Sequence, residues 1–209
     1  MGFSEEEAFQ RSANVSRETL KRLVLYETLL KKWNPVINLV SRSTVADIWM
    51  RHFLDSAQLF DLAPENTGHW ADIGSGGGFP GLVVAAIAAE KSPNMMVTLV
   101  ESDRRKATFL QTAAREMDLQ TQVLTERAEN LPSLQADVIS ARALAPLVDL
   151  CELARHHLAP GGIALFPKGE KVENELKLAL ASWRFVVEKF PSKTEPNAVI
   201  LKIGGLSRV

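Results

Sequence analysis

Asp72, Gly74, Gly76, Gly77, Gly78 and Gly81 crowd into the stretch ADIGSGGGFPG, residues 71–81. Glycine loses more backbone freedom on folding than any other residue, so this density needs a cause. Gly76-x-Gly78-x-x-Gly81 matches the dinucleotide pattern G-x-G-x-x-G, and Glu101 follows at about the spacing of a ribose-binding acid. A second reading is a loop under an adenosyl cofactor that has no pyrophosphate. Asp72 would repel a pyrophosphate, but it would organise the loop and attract a sulfonium or ammonium cation. Glu101 can accept both ribose hydroxyls in either case. A third reading is a tight strand-to-helix turn that holds nothing.

Other reactive side chains are few. Cys151 is the one cysteine and lies between Leu150 and Leu153 in a helical pattern, where it reads as a small buried hydrophobe. His52 shares an apolar face with Ile48 and Trp49; it is either a hydrogen-bonded core histidine or a lining of the site, and not a general base. Arg51 and Asp55, four apart, pair along a helix, either as a local ion pair or to aim Arg51 at RNA. Asn38 either caps a turn or reaches a base. Arg104, Arg105 and Lys106, with Lys31, Lys32, Arg42 and Arg51, read as a solvated face or as a basic rim for phosphate. No His, Cys or Asp cluster has metal-ligand spacing, so no metal is expected.

The elements that must carry these residues change character along the chain. Residues 16–33 read as a helix capped by Ser16, with Leu20, Leu23, Glu27, Leu30 and Trp33 in a stripe and Pro35 as its stop. A second helix begins at Thr44 and places Val45, Ile48, Trp49, His52, Leu59 and Phe60 on one face. From His69 onward strands alternate with helices: HWADIG, MMVTLVES, QTQVLTER, ADVISARA and IALFPKG are the first five strands. Pro80 falls in the first turn of the helix after the glycines, Ser102 or Asp103 caps the next, and a third ends at a Pro-Gly-Gly stop after His157. FVVEKF and NAVILKIG follow the last helix and should be antiparallel to each other. Such alternation predicts an α/β fold, a doubly wound, mostly parallel Rossmann-like sheet of seven strands with one antiparallel strand. Residues 1–61 would be a helical N-terminal extension and 62–209 the sheet domain. Ligands in such sheets bind at the strand carboxyl ends where strand order reverses.

The 209 residues are 46% hydrophobic, which suits one core of ordinary size. Lysine and arginine (24) nearly balance aspartate and glutamate (25), a net charge of −1 that argues against histone-like binding but allows a local basic patch. The acidic first residues read as no secretory signal, no apolar run is long enough to span a bilayer, and a lone cysteine suits a reducing cytoplasm.

Asp-x-Gly-x-Gly with a second-strand acid resembles the class I S-adenosylmethionine-dependent methyltransferases. The segments NLVSRST, RHFLDS, DIGSGGGFPG, ERAE, SARAL and PKG are similar to the glucose-inhibited division protein B family, from about residue 30 to 170. Val40 and Phe166-Pro167 depart slightly from that pattern. The resemblance implies a methyltransferase acting on N7 of one guanine, guanine 527, in small-subunit (16S) ribosomal RNA, with S-adenosyl-L-methionine as cofactor. Its partner would be 16S rRNA or the small ribosomal subunit; nothing in the sequence demands more than a monomer. It implies cofactor contacts from Gly74, Phe79, Ala128, Glu129 and Arg142, to which geometry adds Asp72, Gly76, Gly78 and Glu101. Arg142, Lys168 and His52 would line the reaction site; Asn38, Arg51, Asp55 and Lys168 would meet RNA.

Guanine N7 carries an in-plane lone pair and no proton, so its methylation demands placement rather than a base. Exocyclic-amine methylation commonly goes with Asn/Asp-Pro-Pro-aromatic after the fourth strand, where this chain has SARAL; pyrimidine C5 methylation needs a nucleophilic cysteine. A nicotinamide-dependent oxidoreductase and a non-catalytic RNA-binding module are the competing functions. NADH binding would mark the first, and RNA binding without methyl transfer the second.

Overall fold

The computed structural model describes residues 4–209. Seven strands form one sheet in the order β3-β2-β1-β4-β5-β7-β6. β1 (His69–Ile73), β2 (Met96–Val100), β3 (Thr121–Leu124), β4 (Ala136–Ser140) and β5 (Leu158–Lys168) are mutually parallel. β7 (Val199–Arg208) is antiparallel to both β5 and β6 (Trp183–Pro191), which makes it the single antiparallel strand. Strand order reverses between β1 and β4, so a crevice opens at their carboxyl ends.

The connecting helices are α4 (Gly81–Lys91), α5 (Arg104–Glu116), α6 (Leu147–His157) and α7 (Val172–Leu180). Asp103 caps α5 by accepting the Arg105 and Lys106 N–H groups. α4 is buried from Gly81 to Ala88 because it has neighbours on both sides, the sheet beneath and the N-terminal helices above. That explains why GLVVAAIA is apolar all round. The Pro-Gly-Gly after His157 lies inside β5, not after the helix as a stop. The register against β4 slips there, so these residues form an irregular stretch of strand.

The N-terminal segment differs most from its pattern. An unexpected α1 (Glu5–Ala13) begins with a capping box between Ser4 and Glu7. α2 (Arg17–Ile37) starts at the Ser16 cap but runs through Pro35 instead of ending before it. A proline in the last turn removes only one hydrogen bond, and the Asn34 side chain accepts the Leu39 and Val40 N–H groups just beyond. The buried stripe is Leu23, Tyr26, Leu30, Asn34 and Ile37, with Leu20 and Trp33 half-buried at its edge. The single helix expected from Thr44 is three pieces: a 3-10 turn (Arg42–Asp47), a π-helical turn (Trp49–Leu54) and α3 (Asp55–Phe60). Ile48, Trp49, His52 and Leu59 are buried as the apolar face requires, while Val45 and Phe60 are only half-buried. Phe9, Tyr26, Phe53 and Phe79 form one aromatic cluster, which joins these helices to the glycine loop.

Candidate active site

The glycine loop leaves β1 and turns into α4 over a fully buried acid. Asp72 Oδ1 accepts the Ser140 hydroxyl at 2.7 Å, and Oδ2 accepts the Gly81 N–H at 3.2 Å. Burial pushes its carboxyl up to about 6, against the lowering effect of the Ser140, Ser75 and Gly81 bonds and of Arg142. Gly81 is a packing requirement: a Cβ there would sit 2.7 Å from Asp72 Oδ2. Gly78 has φ +96°, and its Cβ would lie 2.5 Å from the Tyr26 hydroxyl. Tyr26 donates to the Gly77 carbonyl, so α2 grips the loop from behind.

In front of the loop lies a cavity of about 890 Å³. Gly74, Gly76, Phe79, Glu101, Ala128, Glu129 and Arg142 line it; Asp72 and Gly78 do not, because they hold the loop from underneath. Glu101 accepts the Gly76 N–H at 2.9 Å and the Asp103 N–H at 2.7 Å, which fixes its carboxylate at the tip of β2. The wall at Ala128 belongs to a 3-10 turn (Ala128–Asn130), and α6 binds the carbonyl at its start and the one just past its end. His157 Nε2 lies 3.0 Å from the Ala128 oxygen, and His156 Nε2 2.9 Å from that of Leu131. The cavity suits an adenosyl group: bare glycine backbone on its floor, a carboxylate beside it, and Phe79 against one side. Asp149 and Glu152, one turn apart on α6, also line it and were not anticipated. Their three-residue spacing after SARAL was the available signal.

A second cavity of about 500 Å³ adjoins the first, and the two share Arg142, Ala143, Leu144 and Ala145. Ala143 holds φ +53°, a left-handed conformation uncommon outside glycine, in this shared wall. Arg142 is fixed from several directions. It donates to His52 Nδ1 at 2.8 Å, to Asp55 Oδ2 at 3.3 Å and to the Arg51 carbonyl at 3.4 Å, and it lies 5.0 Å from the Phe79 ring centre. A guanidinium only donates, so His52 accepts at Nδ1 and carries its proton on Nε2. That nitrogen faces the Thr44 hydroxyl at 2.9 Å, which in turn donates to the Ser41 carbonyl at 3.0 Å. Thr44 is therefore a link in this chain rather than the expected helix cap. Burial first, then Arg142 and Arg51, lower the His52 pKa to about 3, which leaves a neutral ring.

Arg51 and Asp55 do not pair with each other as expected. Arg51 meets Glu195 at 2.8 Å, and Asp55 meets Arg142, because each finds a partner brought from a distant part of the chain. Lys168 lies in the second cavity, 2.8 Å from Glu175 and 3.0 Å from the Ala145 carbonyl. Asn38 takes the turn role: it ends α2 in a left-handed conformation and lines neither cavity. Lys106 reaches the first cavity, while Lys31 and Arg105 pair with Glu27 and Asp103. Cys151 is buried in the core, where burial pushes its thiol up to about 12. Among the described residues no group of three or more His, Cys, Asp or Glu could hold a metal ion.

The sheet order, the acid-glycine loop over Asp72 and the cavity at the strand ends are those of a class I S-adenosylmethionine-dependent methyltransferase fold. A methyltransferase from Aquifex aeolicus described as SAM-dependent superposes with a TM-score of 0.57 at 14% identity, over 86% of this chain and 97% of that one. The protein described as M. jannaschii TYW2 in complex with AdoMet gives a TM-score of 0.54 at 13% identity, over 82% of this chain and 78% of that one. The family model described as "GidB: rRNA small subunit methyltransferase G" matches residues 19–199, and the chain belongs to that family. Proteins named ribosomal RNA small subunit methyltransferase G from Cereibacter sphaeroides and a Ruegeria species are 56% and 55% identical to it. Each alignment covers 94% of this chain, and 94% and 95% of the respective relative.

Proposed function

We propose that the protein transfers a methyl group from S-adenosyl-L-methionine to N7 of a guanine in 16S ribosomal RNA. The cofactor supplies an electrophilic methyl group on a sulfonium. Glu101, Phe79 and the Ala128–Glu129 backbone would hold its adenosyl part. The second cavity, beyond the Arg142–Ala145 wall, would receive the base after it leaves its stack.

One observation carries the N7 reading. Every carboxylate lining the second cavity is already committed to a cation: Asp55 to Arg142, Glu175 to Lys168 and Glu195 to Arg51. The one nearby imidazole spends its acceptor nitrogen on Arg142. Among the described residues lining the second cavity no carboxylate is unpaired, which suits an acceptor that has no proton to lose. Arg142 and Lys168 are the donors available to guanine O6, and Arg51 to phosphate. The family gives the substrate class; the choice of guanine 527 rests on resemblance, and the cytoplasmic location on the lone cysteine.

Calorimetric titration with S-adenosylhomocysteine, with NADH in parallel, is the first test, and binding of the first alone is expected. Methyl transfer to purified small subunits and to naked 16S rRNA follows, with nucleoside digestion expected to release 7-methylguanosine. Binding of NADH alone, or a methyl group on an exocyclic amine or ribose, would overturn the proposal.

A further inference from the structure

The loop between β6 and β7, residues 192–198, is far in sequence from every motif that marks the site. It nevertheless forms one wall of the second cavity through Thr194, Glu195 and Ala198. It is pinned to the start of α3 by side-chain bonds. Gln58 accepts the Lys193 N–H at 2.9 Å, and the Thr194 hydroxyl donates to Asp55 Oδ1 at 3.1 Å. Gln58 also donates to the same Asp55 oxygen at 3.0 Å. The other oxygen, Oδ2, is left for Arg142. Asp55 and Arg142 are both largely buried, with 17% and 19% of their side chains exposed, so solvent does little to orient the pair.

We propose that Thr194 and Gln58 are positioning residues for Arg142. Two donors on Oδ1 fix the rotation of the Asp55 carboxylate, and its free oxygen then sets the guanidinium in the wall between the two cavities. The loop thereby ties one wall of the acceptor cavity to the Asp55 contact of Arg142 through the Thr194 hydroxyl. This inference rests on the methyl-transfer reading of the same site.

The test uses the full chain with Thr194→Val, which keeps the side-chain shape, Thr194→Ser, which keeps the hydroxyl, Asp55→Asn, and the double variant T194V/D55N. Thr194→Val is expected to lower kcat for methyl transfer to small subunits by about tenfold and to leave S-adenosylhomocysteine affinity within about twofold. Thr194→Ser is expected to restore kcat. In the Asp55→Asn background Thr194→Val should add no further loss, because the hydroxyl acts only through that carboxylate. The ¹⁵N resonances of the Arg142 guanidinium, identified by their loss in Arg142→Lys, should move in Thr194→Val and in Asp55→Asn but not in Thr194→Ser. A purely structural role would lower Tm and leave the loss independent of Asp55. An unchanged kcat with an unmoved Arg142 resonance, or full additivity with Asp55→Asn, would overturn the inference. If the wild-type protein transfers no methyl group, the proposed function falls, and the Arg142 resonance decides this inference by itself.

Discussion

Asp72 and His52 sit beneath the glycine loop and beside Arg142 respectively, and they change stability with pH in opposite directions. Burial raises Asp72 from 3.8 to about 6, so between about pH 4 and 6 the folded chain holds a proton there that the unfolded chain has lost. Stability then falls as pH rises through that window. His52 is lowered from 6.5 to about 3, so between those values the unfolded chain binds the extra proton and stability rises with pH. The two slopes oppose each other from about pH 4 to 6. Asp72→Asn should therefore tilt the stability curve upward with pH relative to wild type, and His52→Gln should tilt it downward. Urea denaturation of all three proteins across that range measures this. Parallel curves would show that neither group titrates as its burial dictates. Asp72→Ala is a harsher change, because it strands the buried Gly81 N–H and Ser140 hydroxyl; loss of S-adenosylhomocysteine binding is expected.

The strand–helix alternation after His69 was legible because the central strands β1, β2 and β4 are buried almost throughout and read as apolar runs between turn residues. The loop residues that line the first cavity were legible for the same reason, since the acid-glycine pattern is local. Three parts were not. The segment 42–60 has helical spacing of apolar residues, yet Trp49 and Phe53 pack into the aromatic cluster, and the backbone there takes 3-10 and π turns. The 192–198 loop meets Asp55 and Gln58 from more than a hundred residues away, and no local pattern encodes that. Tyr26, in a stripe read from leucines, turned out to be the residue that ties α2 to the loop. Tyr26→Phe keeps the ring stacked on Phe53 and removes the bond to Gly77. A net loss of about 1 kcal/mol, or about fivefold in S-adenosylhomocysteine affinity, is expected by titration. An unaltered affinity would mean that the loop holds its shape without the helix.

A net charge of −1 spread over a chain that engages RNA requires the cations to be placed rather than numerous. Arg51 is exposed and pairs with Glu195 on the surface, where its remaining N–H donors can also reach a phosphate. Arg51→Ala should weaken RNA binding and reduce the slope of log affinity against log salt by about 1, with cofactor affinity unchanged. An unchanged slope would remove Arg51 from the phosphate contacts. The N-terminal helices share one apolar cluster with α4 and a face of the sheet, and Leu39, Val40, Thr44 and His52 line the first cavity. A chain beginning at residue 62 would expose α4 and lack that wall. It is expected to aggregate and to bind no S-adenosylhomocysteine in the same titration; a soluble fragment with full affinity would establish 62–209 as a self-sufficient unit.

The π-helical turn at Trp49–Leu54 carries more residues per turn than its α-helical continuation, and it holds both Arg51 and His52. Such a turn is gained or lost by inserting or deleting a single codon, while the flanking helix keeps its facing. In evolutionary terms, the alignment of Arg142 with two cavities hangs on chain length as much as on side-chain identity. A chain one residue shorter within RHFL would break that segment and present a different amino acid to the guanidinium.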